Sequence, residues 1–142
     1  MNFRTQANKG SMNKIVIGSA ATTPGVNLDP ETGLFELRGK SIPSDAEDFY
    51  TPILNWMDEY MSNPAKLTQV VIDLDFFNIS SSKRLLFLMY KLNELADEGH
   101  QVELKWHYYD DDDDMYEVGQ DYAFMVKVPF EFVVKQRALL AV

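Results

Sequence analysis

The 142-residue chain has no cysteine. Disulfides, thiol catalysis and cysteine-based zinc sites are therefore excluded, and a reducing, cytoplasmic compartment fits. Only two histidines occur, His100 and His107, and one strand histidine with a run of serines makes no argument for a Ser-His-Asp triad. Neither G-x-G-x-x-G nor a P-loop is present, so no phosphate-cradling loop can be read and no cofactor is expected. No apolar run approaches the roughly 20 residues of a membrane span. The leader MNFRTQANKGSM lacks the apolar stretch of a secretory signal. Positive charge is also scarce: 13 Lys and Arg against 22 Asp and Glu leave a formal charge of −9. Phosphate backbones and anionic membranes repel such a surface, so neither nucleic acid nor membrane is an expected partner.

What remains is enough for one domain with its own core. Apolar residues make up 46% of the chain and aromatics 13%, and at this length roughly two-thirds of the unfolded surface can be buried. Residues 1–11 read as a tag or disordered leader because Gly10-Ser11-Met12 has the look of a cloning scar. The domain is expected over 12–134, followed by a tail, 135–142, of ambiguous pattern.

KIVIGSA (14–20) reads as a strand or extended lead-in, and the turn signal Asp29–Gly33 before LFELRG (34–39) suggests an N-terminal hairpin. Ser44 or Asp45 opens a helix whose apolar stripe is Phe49, Ile53, Trp56, Met57 and Tyr60. QVVIDLDFF (69–77) is the strongest strand; Val70, Ile72, Leu74 and Phe76 are expected on one side, Val71, Asp73, Asp75 and Phe77 on the other. A second helix runs to about Glu98, with Leu85, Leu88, Met89, Leu92, Leu95 and Ala96 inward and Gly99 as its stop. HQVELKWHYY (100–109) is a strand, 110–126 turns helical after five aspartates, and VPFEFVV (128–134) is a last strand. The order β-β-α-β-α-β-α-β implies an α/β fold with a partly parallel sheet.

Two segments carry chemical interest. Asp110–Asp114, with His107 nearby, offers oxygen ligands for a hard cation, and so an acidic metal-binding domain. The EF-hand spacing fails because Gly119 falls too late. An acidic loop entering a helix N-terminus and a docking surface for a basic protein are the other readings. The second segment is Asn78-Ile79-Ser80-Ser81-Ser82-Lys83, between strand and helix. One residue there suffices as a helix cap, yet three serines leave hydroxyls at the C-terminal edge of the sheet, where open α/β sheets place their sites. A phosphoryl group would bring about −1.5 to −2 charges to a helix N-terminus, with Lys83 and Arg84 in reach.

Taken in order, G-x-S-x-P before a Phe-Tyr-x-Pro helix, Phe-Asn-x-Ser-Ser-Ser-Lys at the junction, Trp-x-Tyr running into the acidic loop, and VPFEF resemble the SiaC family of bacterial regulatory phosphoproteins, from about Gly33 to Phe132. The resemblance implies a single STAS-like α/β domain, similar to anti-sigma-factor antagonists: a central mixed β-sheet with an N-terminal hairpin and helices packed on it. It also implies a non-enzymatic switch in a partner-switching pathway. An anti-sigma-type Ser/Thr kinase would phosphorylate it, a PP2C-type phosphatase would reverse this, and in one branch the unphosphorylated form activates a diguanylate cyclase linked to biofilm formation. The family acceptor is typically the Thr of Asn-Thr-Ser-Ser, where this chain has Ile79. Ser80 and then Ser81 become the candidate acceptors; Asn78, Ile79, Ser82 and Lys83 become candidate partner contacts. With Ile79 at that position, a constitutive, non-phosphorylatable interaction module is the alternative.

Overall fold

The computed structural model describes residues 12–137. The expected leader 1–11 and residues 138–142 of the expected tail lie outside the described residues. In chain order the elements are β1 (Ile15–Ile17), β2 (Gly25–Leu28), β3 (Leu34–Ser41), α1 (Ala46–Tyr60), β4 (Leu67–Phe77), α2 (Ile79–Asp97), β5 (Gln101–Tyr109), α3 (Asp113–Met125) and β6 (Phe130–Lys135). The six strands form one sheet in sequence order, β1-β2-β3-β4-β5-β6. The first two pairings are antiparallel and the last three parallel, which makes the sheet mixed.

Parallel crossovers follow a right-handed rule, so three of them stepping in one direction along the sheet place all three helices on the same face. The side chains follow: Phe35, Leu37, Val70, Ile72, Leu74, Val102, Leu104 and Trp106 are buried beneath the helices. Their sequence neighbours Glu36, Gln69, Asp73, Glu103, Lys105 and His107 remain partly accessible on the opposite, open face.

The N-terminal hairpin differs from expectation by one strand. β2 (GVNL) lies between β1 and β3, so the hairpin closed at Asp29–Gly33 joins β2 to β3. That turn is set by the Asp29 carboxylate, which accepts from Glu31 N–H at 3.0 Å. It is completed by Gly33 at φ +76°, where a Cβ would stand 2.2 Å from Leu67 O.

β4 also departs from strict alternation. Its register against β3 shifts between Gly39 and Lys40, so that Leu74 pairs with Gly39 but Phe76 with Lys40. The extra residue, Asp75, bulges the strand. The phase inverts, leaving Phe76 48% exposed while Phe77 packs edge-on against Trp106 at 6.2 Å. The expected inward Phe76 and outward Phe77 are thus exchanged.

Each helix starts on a side-chain cap: Asp45 accepts from Asp48 N–H, Asn78 from Ser81 N–H and Asp112 from Met115 N–H. α1 buries Tyr50, Ile53, Trp56, Met57 and Tyr60; Phe49 sits only at the margin of this stripe. α3 meets the sheet through Gly119, where a Cβ would lie 2.5 Å from Trp106 Nε1 and 2.6 Å from Cδ1. The indole cannot retreat, because it is fully buried and donates to Met115 O at 3.0 Å. Gly119→Ala gains about 1 kcal/mol of helix propensity but overpacks the contact by about 1–3 kcal/mol. Since the contact falls well inside 3 Å, the clash prevails. We expect a lower urea midpoint with unchanged slope; an equal or higher midpoint would show that α3 lifts off the sheet without penalty.

Candidate functional site

The junction of β4 and α2 is built around Asn78. Its backbone N–H donates to Ser41 O at 3.0 Å, and its carbonyl accepts from Ser82 N–H at 3.0 Å. Its side-chain oxygen caps Ser81 N–H at 2.9 Å, and its amide reaches Pro43 O at 3.4 Å. Every polar group of Asn78 is thereby occupied, which fixes the entry of α2 against the end of β3.

The three serines that follow lie in three different environments. Ser80, in the first turn, is exposed. Ser81 is fully buried, where its hydroxyl accepts from Ser41 Oγ at 2.8 Å. Ser41 is in turn 2.6 Å from the Tyr50 hydroxyl. Desolvation pushes the Tyr50 phenol up to about 12 despite these hydrogen bonds, so the Tyr50-Ser41-Ser81 chain stays neutral across physiological pH. Ser82 turns its hydroxyl back to Ile79 O at 2.7 Å, and its carbonyl accepts from the Tyr122 hydroxyl of α3 at 2.8 Å.

Ile79, the first residue of α2, is 89% exposed. Lys83 is exposed, with its ammonium 5.9 Å from the Phe87 ring centre, and makes no ion pair among the described residues. Arg84, by contrast, is engaged with Glu47 at 3.1 Å. Sequence reasoning missed Ser41 and Tyr50. Tyr50 had a detectable signal, since it precedes Ile53 by three residues and Met57 by seven. Ser41 is the serine of the G-x-S-x-P turn, but no local pattern could show its contact with Ser81, which spans 40 positions.

The aspartate run disperses instead of converging. Asp112 is the α3 cap, and Asp111 takes Arg137 Nε on both oxygens at 2.9 and 2.8 Å. Asp113 and Asp114 occupy the first turn of α3, where negative charge suits the helix dipole. His107 faces Asp73 at 3.8 Å on the open sheet. Burial pushes its pKa down, and Arg38, Lys135 and Lys105 add to this, while Asp73 opposes it. Asp73 is held by Arg38 at 2.8 Å and by Lys135. Among the described residues no three His, Asp or Glu side chains gather as metal ligands.

These features define a mixed α/β domain with helices on one sheet face and a hydroxyl-bearing strand-to-helix junction at its C-terminal edge. Residues 17–135 match the family described as SiaC family regulatory phosphoprotein, and the chain belongs to that family. An uncharacterised protein of Pseudomonas aeruginosa (strain UCBPP-PA14) is 22% identical over 119 residues, covering 84% of this chain and 94% of the relative. Apo-SiaC from P. aeruginosa superposes with a TM-score of 0.79 at 22% identity, over 86% of this chain and 99% of that one. The structure of the diguanylate cyclase SiaD in complex with its activator SiaC, from the same species, gives 0.81 at 21% identity, over 85% and 99%. Likeness at this level of identity establishes the fold.

Proposed function

We propose that this protein is a non-enzymatic, cytoplasmic switch of a partner-switching pathway, acting by protein–protein binding through residues 78–83 and set by reversible phosphorylation at Ser80. The observation that carries this reading is the inequality of the serines: Ser81 is buried and Ser82 is tied to Ile79 O, whereas Ser80 is exposed. A phosphoryl group on Ser80 would sit at a helix N-terminus, a favourable place for an anion, one turn from Lys83, which has no ion pair among the described residues. An anti-sigma-type kinase would add it and a PP2C-type phosphatase would remove it. A diguanylate cyclase is the effector suggested by the SiaD–SiaC complex.

Ile79 favours a second reading. An isoleucine with 89% exposure stands where the family pattern carries the acceptor threonine, and Ser80 is displaced from it by about 100° around the helix. A kinase that aligns the attacking oxygen with ATP would register that rotation. The chain would then be a constitutive binding module with Ile79 as an apolar contact. Intact mass after incubation with the cognate kinase and Mg-ATP separates the two. Gain of one phosphoryl group, lost in Ser80→Ala, supports the switch. No gain in the native chain, with gain in Ile79→Thr, supports the constitutive module.

A further inference from the structure

The outward face of α3 carries more charge and apolar surface than the fold uses, since only Asp113 and Asp114 serve the helix dipole. Gly119 points into the sheet against Trp106. At about 100° per residue, Asp113, Asp114, Glu117, Asp121, Phe124 and Met125 all fall within about 60° of the opposite direction. The four carboxylates are exposed, and none forms an ion pair among the described residues. Asp113 and Glu117, and again Glu117 and Asp121, are four residues apart, a like-charge spacing that weakens a helix. Asp121 lies towards the C-terminal end, where the dipole disfavours an anion, and the last turn holds no basic residue. The stripe ends in Phe124, 93% exposed, and Met125, 52% exposed. A lone exposed apolar residue is ordinary, but aromatic and methionine side chains side by side within a charged rim have the make-up of an interface centre.

We infer that this face of α3 docks a protein partner presenting an apolar socket for Phe124 rimmed by lysine or arginine. Charge selects that occupant. A second copy meeting the face by twofold symmetry would set four carboxylates against four. Nucleic acid and anionic lipid meet the same repulsion. A basic protein surface gains both the electrostatic complement and burial of Phe124 and Met125. α3 is also tied to the junction, since the Tyr122 hydroxyl donates to Ser82 O at 2.8 Å. Binding on α3 nevertheless requires no phosphorylation.

The test uses the full chain, 15N-labelled, titrated with a synthetic helical peptide bearing leucines along one face flanked by lysines. Saturable amide shifts confined to residues 113–125 are expected. Affinity should fall about tenfold in Phe124→Ser, as for an interface anchor. A similar loss is expected with a peptide lacking the leucines, and Glu117→Lys with Asp121→Lys should abolish binding. These positions are exposed, and circular dichroism of each variant checks that the fold is kept. Shifts scattered over the whole acidic surface would overturn the inference. So would unchanged affinity in Phe124→Ser, or no saturable binding.

Discussion

Ser81→Asp is expected to cost the fold about 3–5 kcal/mol, the range for an uncompensated buried charge, while Ser80→Asp stays within about 0.5 kcal/mol of the native chain. The two positions are adjacent, so the contrast comes from their surroundings. Ser81 is fully buried and meets Ser41 Oγ at 2.8 Å, with Tyr50 next in the chain; no cation is among these partners. A carboxylate there would lose its water and displace a satisfied hydroxyl. At Ser80 the same group is solvated and lies at the positive end of the α2 dipole. The pH dependence has a definite sign. Burial raises the folded-state pKa of the new carboxyl above its unfolded value of about 3.9. The penalty is therefore absent below that value, grows as pH rises and is complete above the folded pKa. Urea denaturation at neutral pH and near pH 4 measures both effects. Equal losses at the two positions would contradict the burial that distinguishes them. If the contrast holds, modification of Ser81 requires the first turn of α2 to open, whereas Ser80 can be modified with the fold intact.

Trp106→Ala carries the second large effect, a loss of about 3–5 kcal/mol. Trp106 is the largest fully buried side chain and joins otherwise separate parts of the core. Its ring meets Phe77 of β4, Tyr122 of α3 at 5.5 Å and Phe130 of β6 at 6.4 Å, and Gly119 lies against its edge. Truncation leaves a cavity under α3 and removes the indole N–H that Met115 O accepts in addition to its place in the helix ladder. Trp106→Phe keeps most of the volume but loses that donor, so a smaller loss of about 1–3 kcal/mol is expected. Denaturation of both variants gives the ordering. Equal losses would mean that the hydrogen bond outweighs the packing, against the geometry described.

Long, strongly periodic elements were legible in the sequence. The apolar stripe of α2 from Leu85 to Leu95 and the alternation of β5 through Val102, Leu104 and Trp106 need no tertiary information. β2 was not legible, because four residues opened by glycine after Thr-Thr-Pro read as a turn. They become a strand through pairing on both sides. The exchange of Phe76 and Phe77 was equally hidden, since a bulge is a relation between two strands and both residues are phenylalanine. At the junction, Asn78 could be foreseen as a shaping residue from its type and place. The unequal roles of three identical serines could not, because they depend on Ser41, Tyr50 and Tyr122, each about 30 to 40 positions away.

The sheet order has a consequence for how the molecule is made. Each strand pairs with the one before it in the chain, so none must wait for a later segment to be slotted between it and a neighbour. During synthesis, the sheet can grow outward from its N-terminal hairpin one strand at a time, each new crossover helix laid over surface already in place. Loop-closure entropy is then met in short instalments. The exposed growing edge is always the newest strand, and β6 is the last to take that position.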